Sequence, residues 1–290
     1  MIVLILSGGL GNQMFEYAAG KAMALRGNTE LAVNNSLGFK RDKVYNRVYS
    51  LGHYNVSYKK QKLLTFDFPG GFIISKLSAK LGRHVLCPWY RYVTDNRVSP
   101  QMLKEHPNEY KNVIMSGTFV FPEYFDDQKE IILNEFSLRQ DVELPMEAHR
   151  CLKKIVESPV PVVALCARIY QEIKNPDLRK SEFYAQSEYY NKALEYMKEN
   201  IGKFKLLIFS QAKDWVKENV NLENIDYEFV NVSTTDRDAA FEMYVLSKCH
   251  HYIISNSSYY FWGVYLNRGD KKVIIPRQWT TGVLPEWIRL

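Results

Sequence analysis

The sequence predicts an α/β protein built from two Rossmann-like domains facing a cleft. Three observations predict it. Short continuous apolar runs, such as Ile2-Val3-Leu4-Ile5-Leu6 and Val162-Val163-Ala164-Leu165-Cys166-Ala167, read as strands buried on both faces, as in a parallel sheet. These runs alternate with helix-patterned stretches, most regularly in the second half. Two candidate boundaries stand at Asp141 to Pro145 and at Ser158 to Pro161, where Pro159 and Pro161 stop a helix over 146–157; the second gives domains 1–157 and 158–290.

Taken in order, the first strand breaks into Ser7-Gly8-Gly9-Leu10-Gly11-Asn12-Gln13 and then into an Ala-rich helix from Met14 to Leu25. Glycines there permit positive φ and close backbone approach, and the new helix offers N–H groups and a positive dipole end to an anion. A second strand is expected near Leu31-Ala32-Val33. The pattern becomes irregular through Phe66 to Gly71 and at Cys87-Pro88, and returns as a strand at Val113 to Gly117. A helix is expected from Phe125 to Phe136. Beyond Pro161 the strands are 162–167, 205–209, 227–230, 251–254 and 272–275. Helices are expected at 187–200, 213–218, 236–249 and after Ser258.

Composition narrows the class. A chain of 290 residues has enough core to need no staples, and Cys87, Cys151, Cys166 and Cys249 show neither C-x-x-C pairing nor metal-ligand spacing. A reduced, cytoplasmic setting is expected. No basic leader precedes the first apolar run, and no stretch approaches the ~20 apolar residues of a membrane span. Net charge is +6, but residues 34–112 hold 14 Lys/Arg against 5 Asp/Glu. Tyr45, Tyr49, Tyr54, Tyr58, Trp89, Tyr90 and Tyr92 are interleaved with these charges. This is either a solvated basic face or a surface for an anionic glycan or a membrane; no nucleic-acid module accompanies it, and nucleic acid is not an expected partner.

Ligands of open α/β sheets sit beyond the carboxyl ends of strands. Four such ends carry suitable polar groups: the turn with Gly8, Gly9, Gly11, Asn12 and Gln13; Arg168; Ser210-Gln211; and Ser255-Asn256-Ser257-Ser258 ahead of a helix. A guanidinium grips a phosphate in a fork, and hydroxyls with helix-end N–H groups add donors. A dinucleotide is disfavoured, because Met14 stands where G-x-G-x-x-G needs its third glycine and Asn34-Asn35 replaces the ribose-binding acid. His250-His251 has no third ligand in view and reads as capping or packing, and the aromatic block 259–262 reads as core.

The stretch Gly8-Gly9-Leu10-Gly11-Asn12-Gln13-Met14-Phe15, with Tyr17-Ala18, resembles the N-terminal signature of the α-1,2-fucosyltransferases of glycosyltransferase family 11. Gly117 to Phe125, Tyr189 to Ala193, Phe209-Ser210 with Trp215 to Asn219, and His250 to Asn267 are similar to later family segments, in the same order. The family's H-x-R-R-G-D is here Cys166-Ala167-Arg168-Ile169-Tyr170-Gln171, so only the first arginine persists; Gln211-Ala212 replaces an Asp-Asp pair.

The resemblance implies a GT-B fold and an inverting transfer of fucose from GDP-β-L-fucose to a glycan hydroxyl, such as O2 of a galactoside. The N-terminal domain would face the acceptor and the C-terminal domain the donor. It further implies no metal or other cofactor, with Arg168 stabilising the departing GDP and the turn residues, Ser210 and Ser255 to Ser258 assisting. Glu16, Glu123 and Asp126 are the candidate general bases. The expected setting is cytoplasmic, at the inner face of a membrane if the acceptor is membrane-anchored. The altered motif leaves two alternatives: a binding protein that has lost catalysis, or a transferase using another nucleotide sugar.

Overall fold

The structure is a computed structural model that describes residues 1–60, 83–84, 87–169, 185–232, 238–280 and 282–290. The chain forms two compact units, Met1–Arg139 and Gln140–Leu290.

In the first unit, β1 (Ile2–Ile5), β2 (Leu31–Asn34), β3 (Lys59–Lys60), β4 (Arg83–His84), β5 (Cys87–Val93) and β6 (Val113–Met115) make one sheet in the order β3-β2-β1-β6-β5-β4. All pairs are parallel except β4 with β5. The apolar run at the start of the chain becomes the central strand, and all four of its residues are buried. It leads into the helix Leu10–Arg26, which ends at Gly27. After β3 the sheet crosses to the other side of β1, so the topological switch point lies between β1 and β6.

Cys87-Pro88, read from sequence as irregular, opens the seven-residue strand β5; its mixed apolar and polar residues hid it. The expected helix over 125–136 begins late. Two 3₁₀ turns, Pro122–Tyr124 and Asp126–Gln128, precede the helix Lys129–Glu135, because the buried Phe125 takes φ −143° and breaks the helical path. The expected loop at 66–71 lies outside the described residues.

The second unit's sheet is β7 (Val162–Cys166), β8 (Lys205–Phe209), β9 (Asp226–Phe229), β10 (His251–Ile254), β11 (Val273–Ile275) and β12 (Ile288–Arg289), in the order β12-β11-β10-β7-β8-β9. Every pair is parallel. Its switch point lies between β7 and β10. Helices lead into most of these strands: Ser187–Ile201 before β8, Lys213–Asn219 before β9, Ala239–Leu246 before β10, and Ser258–Tyr265 before β11; the described residues between β11 and β12 hold no helix.

The units divide at Arg139/Gln140, earlier than the boundary expected after 157. The helix Met146–Val156 buries Ala148, Cys151 and Ile155 on one face, and its Arg150 and Lys154 both pair with Glu228 of β9. Those contacts hold it to the second sheet. Pro159 and Pro161 therefore mark the entry to β7 rather than the division. Gly263 permits a close helix crossing, since a Cβ there would lie 2.3 Å from the Leu246 side chain. Tyr259 is half-buried, while Tyr260, Phe261 and Trp262 are buried, the core role expected for most of that block. Among the described residues, no helix is long and apolar enough to cross a membrane.

Candidate active site

The first unit's switch point is built by the glycine turn. Gly8 sits at φ +68°, and a Cβ there would come within 3.0 Å of the Asn12 amide folded back over it. Gly9 is the N-cap of the Leu10–Arg26 helix and, lacking a side chain, leaves the helix end uncapped by one. The Arg47 guanidinium lies against it, 3.7 Å from where a Gly9 Cβ would stand, and also rests 5.1 Å from the Tyr45 ring centre. Arg47 is a cation beside a helix N-terminus that sequence reading missed, since it lies about 38 residues along the chain and shares no motif with the turn.

Other turn residues work internally. Gln13 is fully buried; its Nε2 donates to the carbonyls of Gly8 and Val48, both at 2.9 Å, and its Oε1 accepts from Ser50 N–H at 2.9 Å. It clamps the segment 48–50 to the turn. Glu16 is also fully buried and accepts Ser7 N–H at 2.8 Å and the Ser7 hydroxyl at 2.7 Å. Burial pushes its carboxyl well above the usual carboxylate range, against the lowering effect of the Ser7 bonds, and the charge of Asp95 adds to the rise. Both oxygens of this candidate base are thus spent on holding Ser7.

The second switch point brings three predicted strand ends together. The register aligns Ile254, Cys166 and Phe209 across β10, β7 and β8. The next residues, Ser255, Ala167 and Ser210, therefore share one edge. Ser255 is buried; its N–H donates to Cys166 C=O at 3.1 Å and its hydroxyl accepts Arg168 N–H at 3.0 Å. This fixes the backbone from which the Arg168 side chain springs.

The guanidinium itself makes no hydrogen bond or ion pair among the described residues. The Ser210 hydroxyl accepts Ala212 N–H at 3.1 Å and shapes the following turn. Ser257 is the N-cap of the Ser258–Tyr265 helix and makes no side-chain capping bond, while Asn256 is half-buried beside it. From beneath, Tyr260 Oη donates to Phe209 C=O at 3.1 Å, and Tyr189 Oη donates to Ile254 and Ile274 carbonyls at 2.8 Å each. These tyrosines tie the strand ends to one another.

Of the remaining candidates, Asp126 pairs with Lys104 at 2.5 Å and accepts Asp127 N–H. Glu123 is exposed and lines a groove of about 580 Å³ with Asp95, Arg97, Ser99, Phe121 and Tyr124. Asp95 was not singled out from sequence; the signal available was a polar turn after Tyr92-Val93 once β5 is recognised as a strand. His250 and His251 each accept a backbone N–H at Nδ1, from Val162 at 2.9 Å and Lys272 at 3.1 Å. Cys151, Cys166 and Cys249 are buried free thiols. Of the tyrosines in the basic stretch, Tyr54 and Tyr92 are buried, whereas Tyr49 and Tyr58 share a hydroxyl bond of 2.6 Å.

The model of glycosyl transferase family 11 matches residues 1–284. The chain belongs to that family. As a family 11 member it is a glycosyltransferase, similar to fucosyltransferases and acting on glycans. It is 28% identical to the O-antigen biosynthesis glycosyltransferase WbnK of Escherichia coli, over 98% of this chain and 99% of that protein. It is 26% identical to an Escherichia coli alpha-1,2-colitosyltransferase, over 96% of this chain and 92% of the relative.

Among solved structures, a mutant of Arabidopsis thaliana FUT1 in complex with GDP aligns with TM-score 0.56 and 12% identity, covering 94% of this chain and 69% of that one. The NodZ alpha-1,6-fucosyltransferase, soaked with GDP-fucose, aligns with TM-score 0.53 and 12% identity, covering 91% of each chain; a NodZ of Bradyrhizobium aligns at 0.52. This family 11 chain thus has the α/β, GT-B-like fold, with two Rossmann-like units.

Proposed function

We propose that this glycosyltransferase moves L-fucose from GDP-β-L-fucose, with inversion, to a hydroxyl of a glycan acceptor, O2 of a galactoside. The observation that carries the reading is Arg168: a guanidinium at a topological switch point, its backbone pinned by Ser255 and its side chain unengaged among the described residues. As the bond from the sugar C1 to the diphosphate breaks, negative charge grows on the leaving GDP. A guanidinium springing from a pinned backbone, with hydroxyls and a helix N-terminus on the same rim, supports the reading that such charge is met there. Ser210, Asn256, Ser257 and Ser258 share that rim; within the first unit, the turn with Gly8, Gly9, Gly11 and Asn12, beside Arg47, carries donors of the kind that bind an anion.

No resident metal or other cofactor is part of this reading. The acceptor belongs to a bacterial surface polysaccharide under assembly, a reading supported by the O-antigen relative. Its place is the cytoplasm, in peripheral contact with the membrane carrying the acceptor. The excess of Lys and Arg over 34–112 supports that contact.

A second donor is favoured by one observation, the likeness to a colitosyltransferase. L-Colitose is L-fucose without its 3-hydroxyl. The deciding experiment incubates the protein, in EDTA, with GDP-fucose, GDP-colitose, GDP-mannose and UDP-galactose, with galactosides present, and measures released nucleotide. Release from GDP-fucose alone supports the reading. Preference for GDP-colitose transfers it to the second donor, and binding of GDP without turnover of any donor identifies a protein that has lost catalysis.

A further inference from the structure

We propose that the groove between residues 95–100 and 121–124 binds the acceptor sugar, and that Asp95 Oδ1 takes the hydrogen bond and then the proton of the attacking hydroxyl. This rests on the glycosyltransferase reading above and adds its acceptor side.

The groove stands where β5 and β6 end, one strand from the glycine turn. Its volume of about 580 Å³ suits a small ligand, such sites spanning about 300–1,000 Å³. Asp95 is held rather than merely present. Its Oδ2 accepts Thr118 N–H at 2.9 Å, the Thr118 hydroxyl at 3.0 Å and Phe119 N–H at 3.2 Å. Its Oδ1 has no hydrogen-bond partner among the described residues.

The loop that grips Asp95 adopts costly backbone to do so. Gly117 has φ +149°, and a Cβ there would lie 2.6 Å from Oδ1; Phe119 has φ +47°, although it is buried and not glycine. Such conformations persist where surrounding structure over-determines them, and they concentrate at functional sites. The Phe119 ring packs edge-on against Tyr124 at 5.2 Å, and Tyr124 Oη donates to Val98 C=O at 2.7 Å. The two walls of the groove are therefore fixed to each other.

The lining selects the ligand class. An ionised carboxylate only accepts hydrogen bonds, so Asp95 and Glu123 match the hydroxyl donors of a sugar and oppose a phosphate. Phe121, half-buried at the rim, offers an apolar face to a ring's C–H groups, and Arg97 and Ser99 supply donors. In the reaction the acceptor oxygen bonds to the donor C1 while the C1–phosphate oxygen bond breaks. The electron pair leaves on GDP, and the hydroxyl proton passes to Asp95 and later to water.

The test compares wild type with Asp95→Asn, Glu123→Gln and Phe121→Ala, measuring GDP affinity by calorimetry and transfer to methyl β-D-galactoside. Asp95→Asn keeps an acceptor for Thr118 and Phe119 but no basic oxygen. It is expected to lower kcat by about 10²–10⁴-fold, the usual share of a general base, with GDP affinity unchanged. The other two variants are expected to raise the acceptor KM roughly tenfold at near-constant kcat, the mark of lost uniform binding.

Wild-type transfer by Asp95→Asn, or loss of GDP affinity together with transfer, would overturn the base assignment. Unchanged KM in both rim variants would overturn the groove. If Asp95→Asn does not fold, the rim variants still decide the groove. If wild type binds no GDP, the donor reading has failed separately. Saturation-transfer NMR with methyl β-D-galactoside and methyl β-D-glucoside then tests the groove alone: signal lost in the rim variants upholds it, and equal signal overturns it.

Discussion

In the first unit buried polar side chains spend their atoms on the turn and the segment beside it, whereas in the second a buried serine fixes the backbone of a cation that makes no hydrogen bond or ion pair among the described residues. Glu16 and Gln13 are both buried and spend their polar atoms on Ser7, Gly8, Val48 and Ser50. Ser255, equally buried, binds the main chain of Arg168 and leaves the guanidinium without a partner among the described residues. Two six-stranded sheets thus use their strand ends differently: one makes a turn with backbone donors and a side groove, the other anchors the main chain of an arginine. In the proposed transfer, the second kind of rim is the one that meets the charge of a leaving diphosphate.

The largest effect is expected at Arg168. Arg168→Ala is expected to weaken GDP binding and to lower kcat by about 10²–10³-fold, the cost of one charge-stabilising donor. Arg168→Lys restores only part, because an ammonium lacks the planar fork. Calorimetry with GDP and single-turnover rates read both effects. Undiminished binding in Arg168→Ala would remove the arginine from the site.

At the turn of the first unit, Gln13→Ala removes three hydrogen bonds, one of them fully buried, and strands the buried Ser50 N–H. A loss of about 2–4 kcal/mol is expected in urea unfolding, one unsatisfied buried group alone costing about 1–3 kcal/mol. A cost near zero would mean that the 48–50 segment does not depend on the turn.

Ser255→Ala tests how the second rim positions its arginine. It leaves the Arg168 N–H without its acceptor, at an expected cost of about 1–2 kcal/mol, with kcat falling roughly tenfold. Thermal melts and kinetics distinguish the two losses. Full activity in a destabilised variant would make Ser255 a purely structural tie.

Much of this was legible in the sequence where one residue type has one physical use. Continuous apolar runs gave the central strands β1, β7, β8 and β10, and the glycine turn gave the first strand-to-helix junction. Arg168, Ser210 and Ser255 come to one rim because strand ends align in a parallel sheet, which the chain order of polar residues after apolar runs already indicated. Strand β5 was hidden by Pro88 and its mixed residues, and with it went Asp95, whose three donors come from 23 and 24 residues further on. The choice between the boundaries at 141–145 and 158–161 is not legible locally, because the tie that joins the helix Met146–Val156 to the second sheet, Lys154 with Glu228, spans 74 residues. Glu16 looked like a base because an acidic residue after a glycine loop carries no sequence mark of burial.

Glu16 gives the finest test of the contrast. Its carboxyl titrates, when folded, well above its ordinary value of 4.5, mainly because burial penalises the charge. Between the unfolded and folded values the native state holds the proton more tightly, so the group's contribution to stability falls as pH rises through that window. Glu16→Gln keeps partners for both Ser7 groups and removes the titration. The variant is expected to match wild type near pH 4 and to gain in melting temperature relative to it as pH rises, with kcat within about threefold of wild type. A fall in kcat of about 10²-fold or more would instead make Glu16 the proton acceptor. The groove at Asp95 would then lose its chemical role, and the tightly bound rim of the first unit would prove as reactive as the open one of the second.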